Sequence, residues 1–234
     1  MKSSLKNKVL VLFTITAIAA LLVGLVNDMT KEAIAQSTLM AKNAAKFSVL
    51  NTSADEASIA RDTTRTIGDF AVTVSTVVRN DDGTVVGYAV EAPSITKSGY
   101  ADRITLMVGI IERDGEAVIN SVEVLSQKEA PGLGANMTKE GNSLIRSVAG
   151  KQASQLTFSV SKEGGSFDAL TGSTISSRAY ANAVETAYAG YLWAMGRLDT
   201  SSEALKAAPT GATMPTEDSN EWEPEAQEGD MKNE

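Results

Sequence analysis

The feature that most constrains this chain is an 18-residue apolar stretch near its N-terminus, Val9–Val26, which contains no charged residue. At about 1.5 Å per residue, a helix over this stretch spans roughly 27 Å, close to the hydrocarbon thickness of a bilayer. Lysines precede it at positions 2, 6 and 8, and the residues after it are mixed in charge, so the positive-inside rule predicts a cytoplasmic segment 1–8. A cleaved secretory signal is the alternative, but the run is long for a signal core and lacks a clear small-x-small cleavage site after it. We therefore predict a single-pass transmembrane helix over 9–26, with the rest of the chain outside the cytoplasm at the cell membrane.

The composition excludes several kinds of site. The chain has no cysteine and no histidine, so disulfides, thiolate or imidazole metal ligands and histidine acid–base relays are absent. No metal site and no catalytic acid–base pair are predicted, and the net charge of −8 argues against a nucleic-acid partner. Redox chemistry in this chain therefore requires an organic cofactor.

The acidity is concentrated in the C-terminal segment. Residues 201–234 contain nine of the 29 acidic residues, two of the 21 basic residues and three of the five prolines. Few of its side chains are apolar, so burial cannot offset the entropy of ordering it. We predict an acidic disordered tail over 201–234, a folded domain over 66–200, and a linker and helical region over 27–65.

Between the anchor and the tail, the hydrophobic pattern predicts an α+β domain. Runs rich in β-branched residues flank two turns and indicate two consecutive hairpins, which favours an antiparallel sheet. The order of elements predicts that helices cover one face of this sheet. The polar stretch 51–65 receives no assignment. The predicted strands are 70–78, 84–91, 104–112, 118–125 and 156–160, and the predicted helices are 30–47, 138–148 and 174–197.

A first glycine-containing segment comprises Glu129, Ala130, Pro131, Gly132, Leu133 and Gly134. It fits an ordinary turn after a strand, in which proline fixes φ and the glycines adopt positive φ. It also fits a binding loop, because glycines without side chains let a flat ligand approach the backbone closely. The residues alone leave both interpretations open and favour the turn.

A second segment, Asp168–Arg178, contains the hydroxyl residues Thr171, Ser173, Thr174, Ser176 and Ser177 around Gly172, and leads into the long predicted helix. One hydroxyl is enough to cap a helix. The free amides and the positive dipole end of a helix N-terminus also attract phosphate, and Arg178 adds a positive charge one turn further on. The segment therefore predicts either a cap or a site for a phosphate-bearing ligand.

Residues Asp168–Thr174 resemble the motif Asp-x-x-(Ser/Thr)-Gly-(Ala/Ser)-Thr, at which FMN is attached covalently through its phosphate to the last threonine. The wider chain resembles the G subunits (RnfG) of Rnf ion-translocating electron-transport complexes, an FMN-binding domain family related to the C subunit of sodium-pumping NADH:quinone reductase. The resemblance covers the anchor, the Gly99-Tyr100 turn with the strand Ile104–Ile111, and both segments above.

The resemblance implies a membrane-anchored flavoprotein subunit that relays electrons within a complex coupling ferredoxin:NAD electron transfer to ion translocation. Thr174 is then the residue that carries FMN as a phosphoester, and Asp168 helps an FMN transferase to recognise the site. The other membrane subunits of the complex are the implied partners. The implied cofactor-binding residues are Asp168, Leu170, Thr171, Gly172, Ser173, Thr174 and Arg178, together with Glu129, Pro131, Gly132, Leu133 and Gly134 beside the isoalloxazine.

Two positions depart from the family pattern. Gln127 and Ala130 stand where the family often has histidine and threonine, so polar contacts at those positions are not carried over. Ser173 replaces the commoner alanine, which is a small-for-small change.

Composition agrees with a phosphoester link, because this chain offers no histidine or cysteine to which the flavin ring could be joined. Two alternatives remain at this point. One is a covalent-FMN subunit of another extracytoplasmic reductase, and the other is a flavin-free surface binding module whose Thr171–Thr174 turn only caps a helix.

Overall fold

A computed structural model describes residues 2–67, 70–94 and 103–198, with no account of the side chains of residues 2–6 and 67. The predicted α+β class, with an N-terminal helix long enough to cross a membrane, is confirmed. The predicted Gly99-Tyr100 turn and the tail 201–234 lie outside the described residues. The helices are α1 (Lys2–Ser48), α2 (Ser143–Val148) and α3 (Thr174–Ala194), the strands are β1 (Ala57–Ile67), β2 (Phe70–Arg79), β3 (Val85–Pro93), β4 (Thr105–Arg113) and β5 (Glu116–Ser126), and short 3-10 helices cover Gly134–Thr138, Ala153–Gln155 and Ser161–Glu163.

The sheet has five antiparallel strands in the sequential order β1-β2-β3-β4-β5. Both predicted hairpins are present as β2–β3 and β4–β5. Most of the stretch left unassigned, from residue 57 on, belongs to the edge strand β1. The hydroxyls of Thr64 on β1 and Thr73 on β2 lie 3.0 Å apart. Because an edge strand keeps much of its surface in water, β1 carries mostly polar side chains, and its hydrophobic alternation is too weak to show in the sequence.

Helices cover both faces of the sheet, not one as predicted. On one face α3 packs on the core built around Val90, Leu106, Val108 and Ile119. On the other face the end of α1 and the turn after it bury Ala45, Val49 and Leu50 against Val77, Ala89 and Met107. Side chains alternate between the two faces of a strand, and here both alternating sets are apolar, so each face needs a helix to cover it.

The predicted membrane segment and the helix predicted after it form one continuous helix, α1. Residues 7–48 are the only stretch of the described residues long and apolar enough to span a membrane, and the apolar segment has no packing partner within the described structure. No proline and only Gly24 interrupts the helix, so nothing in residues 27–30 ends it. Its C-terminal part is fastened by ion pairs of Lys42 with Glu91 (2.5 Å) and of Lys46 with Asp62 (3.0 Å).

The region between β5 and α3 contains less regular structure than predicted. The helix expected over 138–148 is confined to α2, because Gly141 adopts φ +61° and the Asn142 side chain caps the helix start by accepting from the amides of Leu144 and Ile145. The strand expected over 156–160 is wrong, since only an isolated bridge joins Val160 to Phe167. The long helix α3 is confirmed and stops three residues early, just before Gly196 at φ +67°.

Candidate functional site

The start of α3 is shaped by a turn that Ser177 stabilises from inside the helix. The Leu170 amide donates to the Ser177 hydroxyl (3.0 Å), which itself donates to the Ser173 carbonyl (2.8 Å). Gly172 adopts φ +72°, a backbone conformation that is unfavourable for residues other than glycine. These bonds bring residues 170–173 across the end of the helix and place Thr174 as its first residue.

The N-terminus of α3 is left without a side-chain cap. Ser173 occupies the capping position but makes no capping hydrogen bond. Thr174 is half-buried, and within the described part of the chain its hydroxyl has no hydrogen-bond partner. The uncapped amides and the positive end of the helix dipole therefore surround an available hydroxyl, which is the environment that favours an anionic group.

The loop Glu129–Gly134 follows β5 and is exposed in its middle and buried at both ends. Pro131, Gly132 and Leu133 are exposed, and Gly132 adopts φ +80°. Glu129 and Gly134 are buried. The loop thus presents a short apolar tip while its two ends are held against the protein.

The structure brings the two predicted segments into direct contact. The Ser176 hydroxyl donates to Glu129 Oε2 at 2.6 Å, and both groups are buried. A Cβ at Gly134 would lie 2.6 Å from Ser176 Oγ, and a Cβ at Gly172 would lie 3.3 Å from Leu133 Cδ2. Residues separated by 39 to 47 positions therefore form one surface region. We name it the loop–helix site: residues 129–134 and 168–176.

The loop–helix site contains a buried hydrogen-bond acceptor to which no described residue donates. Glu129 is only 6% exposed, and its Oε1 has no hydrogen-bond partner among the described residues. A buried carboxylate oxygen without a donor is costly unless a ligand or water supplies one. An N–H group of a bound isoalloxazine is a donor of the required kind, so the residues present fit FMN: a phosphate at the start of α3 and a ring beside the loop.

Two predicted site residues lie apart from this contact. Asp168 is exposed, and its amide donates to the Ser147 hydroxyl at 3.2 Å. Arg178 forms an ion pair with Glu163, with Nε 2.7 Å from Oε1, so a carboxylate already opposes its charge. Sequence reasoning did not anticipate the roles of Ser176 and Glu163, since the first stood in a run of similar hydroxyl residues and no signal marked the second.

No group of three or more acidic side chains able to hold a metal ion occurs in the described ranges. The prediction of no metal site concerns the whole chain and stays a prediction.

Comparison with known proteins points to the same cofactor. Residues 99–189 match the family model described as an FMN-binding domain. The chain is 30% identical over 182 residues to the G subunit of the Na(+)-translocating ferredoxin:NAD(+) oxidoreductase complex of Acetobacterium woodii, covering 75% of this chain and 86% of that relative. It is also 36% identical over 104 residues to the G subunit of an ion-translocating oxidoreductase complex of Aliivibrio fischeri and 35% identical over 106 residues to that of Pseudoalteromonas atlantica. These two alignments cover 43% and 44% of this chain, and each spans about half, 47%, of the relative.

Proposed function

The chain belongs to the family of G subunits of ion-translocating oxidoreductase complexes, and on that premise we propose that it carries FMN as a phosphoester of Thr174 and relays electrons between other subunits of such a complex. The family assignment already makes it an FMN-binding subunit of a membrane complex. The proposal adds the covalent link, the residue that bears it and the role as electron relay.

The observation that carries the proposal is the contact between the loop and the start of α3. A ligand tethered at Thr174 has the loop tip within reach, because Leu133 lies against Gly172 and Glu129 against Ser176. The half-buried Thr174 hydroxyl has no partner to displace, and the uncapped α3 N-terminus stabilises the negative charge of a phosphodiester. When bound, FMN supplies electron acceptance and donation that no side chain of this protein provides.

Individual residues have separable roles in this arrangement. Thr174 supplies the ester oxygen, and Ser177 keeps the preceding turn closed over the helix start. With FMN bound, the buried Glu129 would accept a hydrogen bond from the ring, and the exposed Leu133 would shield the ring from water. Asp168, exposed ahead of the start of α3, is available to an FMN transferase during maturation.

The test is Thr174→Ala, with Thr171→Ala as the matched control, because both threonines belong to the same turn and Thr171 is the more exposed. Loss of a half-buried hydroxyl with no partner costs the fold little, about 1 kcal/mol at most. We expect Thr174→Ala to reach the membrane and to run on a denaturing gel without flavin fluorescence, while Thr171→Ala stays fluorescent. Both variants are expressed with a functional transferase.

Mass spectrometry localises the link. Trypsin releases one peptide, Glu163–Arg178, which contains every candidate hydroxyl of the segment. We expect its mass to rise by one FMN less water, with fragmentation placing the addition on Thr174. An addition on Thr171, Ser173 or Ser176 contradicts the residue assignment, and an unmodified peptide contradicts covalent attachment.

We further propose that the domain lies outside the cytoplasm, from the lysines before Val9–Val26 and the mixed charges after it. Protease added to intact, wall-stripped cells should then degrade the domain. Protection that persists until the membrane is opened would reverse this topology.

Among the alternatives, the FMN-binding match disfavours a flavin-free surface module. The names of the relatives favour an ion-translocating complex over another extracytoplasmic reductase. We expect purification in mild detergent to recover the chain together with several polytopic subunits, among them those that couple ferredoxin:NAD electron transfer to ion movement.

A further inference from the structure

The contacts of α1 establish which end of the sheet faces the membrane. Lys42 pairs with Glu91 near the end of β3, whereas Leu50, in the turn after α1, lies against Gly87 near the start of β3. The helix therefore runs along the sheet away from the end where β3 and β5 finish. Thr38 and Ala41 still border residues at that end, and the part of α1 that precedes Thr38, including the apolar segment, extends beyond it. We name this end of the sheet the proximal end.

The loop–helix site lies at the proximal end. The loop begins three residues after Ser126, where β5 finishes, and Ser126 borders the same cavity as Lys42. The start of α3 joins the loop through Ser176, and α3 then runs to the opposite end, where the Tyr191 hydroxyl donates to Glu112 at 2.5 Å. Both halves of the site thus point toward the membrane segment, and the β4–β5 turn at Arg113 points away.

The attachment of α1 to the sheet leaves little freedom for rotation. A Cβ at Gly109 would lie only 2.1 Å from the Val49 carbonyl oxygen, so helix end and strand are in close contact. The Asn120 side chain donates to the same carbonyl at 2.8 Å. Lys46, 8% exposed, pairs with Asp62 on β1 at 3.0 Å. The helix is therefore fixed to three different strands.

Between the apolar segment and this attachment, residues 27–37 are helical and exposed. From Val26 to Lys42 the helix rises about 24 Å, and roughly 5–8 Å of that passes through the headgroup region. We name residues 27–37 the stalk. An uninterrupted helical stalk transmits the rotational setting of the membrane segment to the domain.

We propose that the stalk fixes the direction in which the loop–helix site faces, so that the loop tip contacts a membrane-embedded subunit of the complex. The inference rests on the proposed function for the kind of partner, a polytopic subunit, and on the geometry of α1 for the contact. The stalk acts as a rigid helical spacer that sets the rotation of the domain about the helix axis. The exposed side chains of the stalk do not themselves contact the partner subunit.

Photo-crosslinking in membranes that contain the complete complex tests the contact without relying on the flavin. A photo-reactive residue placed at Ala130, exposed in the loop, should yield a crosslink to a polytopic subunit. The matched control places the same residue at Arg113, exposed at the opposite end of the sheet, and should yield none. Crosslinks from Ala130 to lipid or soluble proteins alone, or equal crosslinking at both positions, would overturn the proposal.

Insertions of alanines between Ala33 and Ile34 test whether the rotation of the domain about the helix axis matters. Two inserted alanines turn the domain by about 200° and raise it by about 3 Å, whereas four turn it by about 40° beyond a full turn and raise it by about 6 Å. We expect the four-residue insertion to keep the Ala130 crosslink and the two-residue insertion to lose it. The same crosslink in both variants, or its loss from both, refutes the role of the stalk.

Flavin fluorescence on denaturing gels separates this inference from the proposed function. All stalk variants should retain the fluorescence of the parent protein, because the stalk does not touch the loop–helix site. A parent without flavin contradicts the covalent link and leaves the crosslinking result to be judged by itself.

Discussion

Gly134 is the position where a single methyl group tests the geometry of the loop–helix site. Its Cβ would lie 2.6 Å from Ser176 Oγ, 2.8 Å from Glu129 Cβ and 2.9 Å from Glu129 Oε2. The Ser176 hydroxyl can rotate away, but Glu129 Cβ is tied directly to the backbone. Gly134→Ala must therefore move the loop or break the Ser176–Glu129 hydrogen bond.

The expected cost follows from these two effects. Overpacking of a well-packed site costs about 1–3 kcal/mol, and a lost hydrogen bond to a carboxylate costs about 1.5–3 kcal/mol. The two costs do not add fully, because breaking the hydrogen bond lets the side chains move apart and relieves part of the overpacking. We therefore expect Gly134→Ala to lower the free energy of unfolding by roughly 2–4 kcal/mol. For a chain of this size, such a change lowers Tm by roughly 5–15 °C.

The matched control is Gly132→Ala in the same loop. Its φ of +80° makes alanine unfavourable, but no atom lies within 4 Å of the added Cβ. The expected cost is therefore only the conformational term, about 1–2 kcal/mol. Near-UV circular dichroism of the full chain in detergent, followed with temperature, compares the two variants. If Gly134→Ala is no less stable than Gly132→Ala, the loop does not pack against α3 as described.

Two further substitutions probe the rest of the domain. Gly109→Ala places a methyl group 2.1 Å from the Val49 carbonyl oxygen, so we expect it to detach the end of α1 at a cost of about 3 kcal/mol or more; unchanged protection of the α1 C-terminal amides in hydrogen exchange would contradict this. Burial raises the pKa of Glu185 from 4.5 to about 7, against a smaller opposing effect of a hydrogen bond from Asn182. The folded protein then retains a proton that the unfolded chain releases, so the stability contributed by Glu185 falls as pH rises from 4.5 to 7. The Tm of Glu185→Gln relative to that of the parent protein should therefore rise across that pH window and keep its higher value above pH 7. A Tm difference between the two proteins that does not change with pH would contradict a raised pKa of Glu185.

Local patterns in the sequence were sufficient for the elements that local physics controls. An 18-residue apolar run predicts a membrane helix from length alone, and runs of β-branched residues around the turns at residues 80–83 and 113–116 predict the two hairpins. The absence of cysteine and histidine restricts the chemistry before any fold is known. The motif Asp168–Thr174 pointed to FMN, and the family match supports that cofactor.

Only the tertiary structure decided how these elements meet. Strand β1 was not predicted because an edge strand needs few apolar residues. The helix on the second face of the sheet was not predicted because the sequence of the end of α1 does not show which surface it packs against. The Ser176–Glu129 hydrogen bond joins residues 47 positions apart. Such a pairing depends on where the sheet places the end of β5 relative to α3. The hydrophobic periodicity of the sequence carries no information about that distance. The sequence therefore indicated the two segments that we propose to bind the flavin phosphate and ring, and packing decided that they lie together at the end of the sheet beyond which the N-terminal part of α1 extends.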